Sequence, residues 1–222
     1  MTSKFKIRKG GNGGKRSVRG RIFATILSLA LLALIIPTQA LAAKDIKVEK
    51  MNILVEPEYD DPRVLVVMEP ILSEDTELPQ KVEYLLSKKM PDVTVGMACE
   101  IPEGQGHRCK VYDTKEAGDF EELTYSVDSA RTLFFEYYYD PFSGQKEAED
   151  GKKSFVYEYK ASYPIGNLEI QVQEPLKATD YKIEPASENI SEDEQGFKYH
   201  TFSFADVKAG DVLAFNVDYT KT

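Results

Sequence analysis

The six residues Leu168-Glu169-Ile170-Gln171-Val172-Gln173 alternate strictly between apolar and polar side chains. Successive side chains of a β-strand point to opposite faces, so this pattern predicts a strand with one buried and one solvated face. The stretch Val212–Tyr219 repeats the pattern near the C-terminus, where one face would carry Leu213, Phe215, Val217 and Tyr219. Both stretches indicate a sheet packed on a core.

Short apolar runs of the same kind recur along the chain and are bounded by Pro, Gly, Asp or Asn. We expect about eleven strands, namely 46–55, 64–68, 93–100, 108–112, 120–127, 132–139, 154–163, 168–173, 180–183, 197–204 and 212–219. The segment Pro79–Met90 fits a short helix or a strand equally well. The spacing predicts an all-β fold, a two-sheet antiparallel β-sandwich that is immunoglobulin-like or jelly-roll-like, preceded by a hydrophobic signal helix.

The first 43 residues have the composition of a secretory signal peptide. Eight Lys or Arg residues precede the apolar run Ile22–Ile36, and the small-x-small sequence Ala40-Leu41-Ala42 follows it. We therefore expect residues 1–43 to be removed and the protein to be secreted or held in the cell envelope, and the long basic region favours a bacterial origin. The alternative is an uncleaved anchor, in which residues 22–41 would be the contact with the membrane.

Residues 44–222 would then form one β-sandwich domain, or two small ones over 44–140 and 154–222, divided near Pro141 or Ser154. Residues 1–43 contain 8 of the 28 basic residues, and all 37 acidic residues lie beyond position 43. The net charge of residues 44–222 is therefore −17, against −9 for the whole chain. So acidic a surface repels phosphate backbones and anionic head groups, which excludes nucleic acid as a partner.

Two neighbouring predicted strands are unusually aromatic. Each carries three aromatic residues at every second position, and the six are Phe135, Tyr137, Tyr139, Phe155, Tyr157 and Tyr159. A loop of about fifteen residues joins the strands, so we expect a hairpin with two columns of rings. The rings would form either a wall of the core or an exposed stacking surface for a sugar or peptide.

Cys99 and Cys109 are the only cysteines, and each lies on a predicted strand. In an exported protein an even number of cysteines is typical of disulfides, so we expect this pair to be bonded. The alternative is a metal site, since Met97 and His107 lie close by and soft sulfur with imidazole suits copper or zinc.

No motif for nucleophilic catalysis or phosphate binding stands out, and the chain has two histidines, His107 and His200. Carboxylates are abundant, with clusters at 56–61, 74–77 and 147–150. We expect no cofactor, although such loops can hold calcium. A glycosidase would need two carboxylates across a cleft, and the sequence does not single out a pair.

The C-terminal third resembles exported bacterial β-sandwich modules of the immunoglobulin-like or carboxypeptidase-regulatory-like kind. The residues concerned are Tyr163-Pro164, the alternating stretch 168–173 followed by Glu174-Pro175, the run 196–199 and the tail from Ala209. This resemblance implies a fold and no active site.

These observations favour a non-enzymatic binding or assembly module at the cell surface or in the envelope, with a protein or glycan partner. One alternative is a metal or redox accessory protein that uses Cys99, Cys109 and His107. The other is a carbohydrate-active enzyme that uses paired carboxylates.

Overall fold

The computed structural model describes residues 46–143, 151–187 and 189–221. The predicted signal peptide, with its predicted helix, and the acidic cluster at 147–150 lie outside these residues. The described part of the chain is all-β, as predicted. Its strands are β1 (Val48–Pro57), β2 (Val64–Leu72), β3 (Gln80–Ser87), β4 (Thr94–Glu100), β5 (Arg108–Cys109), β6 (Tyr112–Ala117), β7 (Phe120–Val127), β8 (Leu133–Tyr139), β9 (Lys152–Lys160), β10 (Ile165–Glu174), β11 (Thr179–Glu184), β12 (Asn189–Glu192), β13 (Lys198–Val207) and β14 (Val212–Thr220).

The strands form two sheets. The eight-stranded sheet has the order β12-β13-β10-β1-β2-β8-β4-β5, and the six-stranded sheet has the order β11-β14-β9-β3-β7-β6. Neighbours pair in the antiparallel sense, except that β1 and β10 are parallel. Strands from both sides of residues 141–154 occur in both sheets, so a cut at Pro141 or Ser154 would divide each sheet.

Several boundaries differ from the prediction. The ambiguous segment Pro79–Met90 contains β3, whose Val82, Tyr84 and Leu86 alternate into the core. The predicted strand 108–112 is divided between β5 and β6, which lie in different sheets. The segment Asn189–Glu192, where no strand was predicted, forms the edge strand β12. In the part of the chain described, no helix is long and apolar enough to cross a bilayer.

The sheets pack face to face over one core. Tyr84 of β3 stacks on Phe135 of β8 with ring centroids 4.4 Å apart, and Phe202 of β13 lies 4.7 Å from Phe215 of β14. Aromatic side chains bury large apolar areas and prefer such offset contacts, so they supply much of the packing energy. The cavity between the sheets near Met51 and Tyr159 has a volume of about 20 Å³, which is room for a single water-sized molecule.

The six aromatic residues of β8 and β9 form walls of the core, one of the two alternatives, and their strands do not pair as predicted. All are 7% exposed or less, so none belongs to an exposed stacking surface. Their strands do not form a hairpin, because β8 lies between β2 and β4 while β9 lies in the other sheet. Each column of rings therefore faces the core from its own sheet. Across the core, the ring of Tyr139 packs edge-on against that of Phe155, with ring centroids 6.4 Å apart.

Candidate functional site

A buried polar cluster lies on the outer face of the eight-stranded sheet, where β1, β10 and β13 are neighbours. Val55 of β1 is paired with Val172 of β10, and both side chains are fully buried in the core. Because side chains alternate, the next residues along these strands, Glu56 and Gln173, point to the opposite face. Tyr199 of β13 is paired with Gln173 and lies on that face too.

A chain of hydrogen bonds connects these side chains. The Gln173 Nε2 group donates to Glu56 Oε1 and to the Tyr199 hydroxyl, each at 3.3 Å. The Tyr199 hydroxyl in turn donates to Asp193 Oδ2 at 3.1 Å. Gln173 is 0% exposed, and its Oε1 atom has no hydrogen-bond partner among the described residues. A buried carbonyl oxygen without a partner is costly, so this atom is suited to accept a donor from a bound molecule.

The Glu56 carboxyl is a weak acid in this setting. Burial, together with the smaller effect of the nearby Asp60 charge, raises its pKa from 4.5 to about 7. Burial penalises the ionised form, because a carboxylate loses its hydration shell. Near neutral pH, Glu56 therefore exists in both its protonated and its ionised form.

Aromatic side chains border this cluster. Tyr59, in the turn after β1, is 51% exposed, and its ring lies 5.7 Å from that of Phe197, which precedes β13. On the other side, the Tyr138 hydroxyl donates to Asp60 at 3.1 Å, and the Arg63 guanidinium lies 4.6 Å above the Tyr138 ring. We call the set Glu56, Gln173, Tyr199, Asp193, Tyr59 and Phe197 the Glu56 patch.

The predicted disulfide is confirmed. Cys99 of β4 and Cys109 of β5 are directly opposite each other in the antiparallel pair, and their sulfur atoms are bonded. Neither sulfur is then free to bind a metal ion. His107 packs edge-on against Phe134 at 4.6 Å, and Met97 lies on β4 opposite Glu136. Among the described residues, no three His, Cys, Asp or Glu side chains are arranged to hold a metal ion.

Glu100, next to the disulfide, has a structural role. Its Oε2 atom accepts hydrogen bonds from the backbone amides of Asp128, Ser129 and Ala130 at 3.0, 3.1 and 3.2 Å. Its Oε1 atom lies 2.9 Å from Lys110 Nζ. Burial alone would raise the pKa of this carboxyl, but the hydrogen bonds from Lys110 and the three amides outweigh it and lower the pKa to about 2.

His200 is buried between the sheets at one end. Its Nδ1 atom lies 2.9 Å from the Ser187 hydroxyl, and its ring stacks on Tyr181 at 4.7 Å. Burial lowers its pKa below 6.5, although Glu174 acts in the opposite direction. The neutral ring and its hydroxyl partner attach the segment after β11 to β13, which is a structural role.

The acidic residues of the first predicted cluster, 56–61, are engaged within the protein. Glu58 interacts with Lys153 at 2.8 Å and accepts a short hydrogen bond from Tyr219. Burial opposes ionisation of Glu58, yet these two groups lower its pKa below 4.5. Asp61 binds Arg63 at 2.7 Å. In the first cluster, Glu56 differs from these neighbours, because its partner is an uncharged amide.

Sequence reasoning missed most of the Glu56 patch. Gln173 belongs to the polar half of an alternating strand, so the pattern predicts that it is solvated. Glu56 was one acid among many. The distinguishing feature is that β1 lies beside β10, and no local pattern carries that information.

No protein-family model and no curated protein matches the sequence. Solved structures that the chain matches include yeast LTA4 hydrolase, at 9% identity and a TM-score of 0.49 over 80% of this chain and 29% of that one. A second structure of leukotriene A4 hydrolase from Saccharomyces cerevisiae gives 9% identity and a TM-score of 0.46, over 86% and 33% of the two chains. A candidate protease from Parabacteroides distasonis gives 8% identity and a TM-score of 0.43, over 81% and 41%. The chain thus spans between 29% and 41% of the length of these proteins.

Proposed function

We propose that this protein is a non-enzymatic binding module of the immunoglobulin-like kind, exported to the cell surface or envelope, and that the Glu56 patch binds a glycan there. The observation that carries the proposal is the buried Gln173 carboxamide. Its Oε1 atom has no partner among the residues that the structure describes, and it lies beside a carboxyl group that titrates near neutral pH. The disulfide supports an extracytoplasmic location, because such bonds persist in oxidising compartments.

The chemistry of the patch favours a sugar over a peptide. Amide and carboxyl groups accept and donate hydrogen bonds in a plane, which suits the hydroxyl groups of a sugar ring. The half-exposed Tyr59 ring offers an apolar face on which the C–H side of a sugar can stack. Gln173 is 0% exposed, so a ligand hydroxyl can donate to its Oε1 atom only after the side chains that cover this atom move aside.

The charge of the domain restricts the ligand further. Residues 44–222 carry −17, and Asp60 and Asp193 lie at the patch itself. Anionic polysaccharides are repelled by such a surface, so the expected ligand is a neutral glycan.

A glycan array with neutral and anionic members tests the proposal. We expect the protein to bind neutral glycans and a Tyr59→Ala variant to bind them at least about tenfold more weakly. Val212→Ala is the matched control, since Val212 is similarly exposed at 49% but lies on the other sheet, and it should bind normally. Binding that is absent, or equal in the wild type and Tyr59→Ala, would overturn the proposal.

The second candidate is a carbohydrate-active enzyme, and the raised pKa of Glu56 favours it. A glycosidase needs one carboxyl that stays protonated near neutral pH to act as the general acid. Release of new reducing ends from a bound glycan, abolished by Glu56→Gln, would establish this activity. Binding without release supports the binding module.

A further inference from the structure

The six-stranded sheet ends in a long, regular edge strand. β6 is paired with β7 on one side, and no described residue pairs with its other side. The other sheet edges are less suited to pairing. β5 has two residues and β12 has four, while β11 has a register shift after Thr179 and a left-handed residue at Asp180 with φ 53°. Such irregularities protect an edge, and β6 lacks them across all six of its residue pairs.

The hairpin fixes which backbone groups of β6 are free. Ala117 and Phe120 close a two-residue turn, so they form a hydrogen-bonded pair. By alternation, Lys115 and Asp113 also direct their N–H and C=O groups to β7. Tyr112, Thr114 and Glu116 direct theirs to the open edge. A partner strand must therefore bond with these three residues.

The side chains of β6 select one arrangement of two copies. Two identical strands related by a twofold axis pair in the antiparallel sense, with the axis at a single residue. An axis at Asp113 places two carboxylates opposite each other, and an axis at Lys115 places two ammonium groups opposite each other. An axis at Thr114 places Asp113 of each copy opposite Lys115 of the other. Opposite charges across a strand pair are stabilising, and like charges are destabilising.

Two further contacts agree with this axis. Lys81 lies 3.3 Å from Asp113, and Glu122 lies 2.6 Å from Lys115, so the joined strands would carry an alternating row of charges. The same register places Val111, which is 93% exposed, opposite Ala117 of the second copy. An apolar side chain this exposed would be covered by the pairing.

We propose that β6 binds β6 of a second copy of this chain, in antiparallel register with the twofold axis at Thr114. The two six-stranded sheets then become one continuous sheet. The contact is short, so the dimer is weak and its population depends on protein concentration. It lies on the opposite sheet from the Glu56 patch and is independent of glycan binding.

Charge exchange tests the register. We expect sedimentation of the full-length protein to show a monomer–dimer equilibrium that Asp113→Lys or Lys115→Asp shifts to monomer by at least about tenfold in the dissociation constant. The double variant Asp113→Lys/Lys115→Asp restores opposite charges and should restore the dimer. Glu192→Lys makes the same charge change on β12 and should have no effect. If the hydrophobic N-terminal segment caused the association, none of these variants would change the dissociation constant. That result would overturn the proposal.

Cross-linking tests the position of the axis. Thr114→Cys places two thiols at the axis, so mild oxidation should give a covalent dimer. Thr124→Cys is the control, since Thr124 lies on the inner strand β7, opposite Asp113. Equal cross-linking at the two positions, or none at Thr114→Cys, would contradict the register.

Discussion

Gln173 donates a hydrogen bond to Glu56 at 3.3 Å, although the two residues are separated by 117 positions in the chain. The contact exists because β1 and β10 are parallel neighbours in the eight-stranded sheet. It places an uncharged amide, and no cation, beside the buried carboxyl. Burial is therefore not offset by an opposite charge, and it favours the protonated form of Glu56. The pH dependence of folding should show this directly.

The first prediction concerns Glu56→Gln. The folded pKa of about 7 lies above the unfolded value of 4.5, so Glu56 contributes stability below pH 4.5 that is lost as the pH rises through 7. The full pKa shift of Glu56 corresponds to ~3 kcal/mol in the free energy of unfolding, and solvent screening reduces this contribution to about 1–2 kcal/mol. Urea unfolding should show that Glu56→Gln removes this pH-dependent loss.

The control for this experiment is Glu103→Gln, because Glu103 is an exposed residue in the loop after β4. Its pH profile should match that of the wild type. A Glu56→Gln profile with the same slope as the wild type between about pH 5 and 8 would show that Glu56 is not the titrating group.

The second prediction concerns Glu100→Gln. The folded pKa of about 2 is below the unfolded value, so Glu100 contributes stability above pH 4.5 that is lost as the pH falls towards 2. Removing the charge leaves Lys110 without its buried partner and should cost about 2–4 kcal/mol at neutral pH. Asp128→Asn removes the exposed partner of Lys110 and should cost less than about 1 kcal/mol. Equal losses in the two variants would contradict the structural role of Glu100.

The third prediction concerns the disulfide. Reduction, or the double variant Cys99→Ala/Cys109→Ala, should lower the free energy of unfolding by about 2–3 kcal/mol, as the loop-entropy model gives for a sequence separation of 10 residues. Mass spectrometry of the protein before and after reduction reports the bond. The unreduced protein should contain no free thiol, and a full complement of free thiols in native material would refute the assignment.

The fourth prediction compares neighbouring residues of β8. Phe135 is fully buried, so Phe135→Ala should destabilise the protein by about 3–5 kcal/mol. Phe134 is partly buried on the opposite face, and Phe134→Ala should cost clearly less. Chemical denaturation measures both. If Phe135 were part of an exposed stacking surface, its loss would change ligand binding and leave stability nearly intact.

The sequence predicted the strand content because a period of two is a local property. The alternation in β10 and β14 is visible without any tertiary information, and both strands form as expected. The Cys99–Cys109 bond was also local, since both residues belong to one short β-turn-β segment. The expectation of export supplied the chemical reason for predicting the bond.

Strand partners were not predictable in the same way. β8 and β9 are consecutive and equally aromatic, yet they lie in different sheets. Alternation identifies the buried face of each strand but does not identify its neighbour, because any two strands with matching faces can pair. The Glu56 patch depends on such a choice of neighbours, since Glu56 and Gln173 meet only when β1 lies beside β10.

The parallel pairing of β1 with β10 also determines when the fold can be completed. β1 can form its hairpin with β2 early, but its other edge stays open until the chain has reached residues 165–172. Contacts of such large sequence separation slow folding, so we expect rates typical of non-local β proteins, from milliseconds to seconds. A newly made chain with this edge open is exposed to aggregation for as long as the tenth strand is missing.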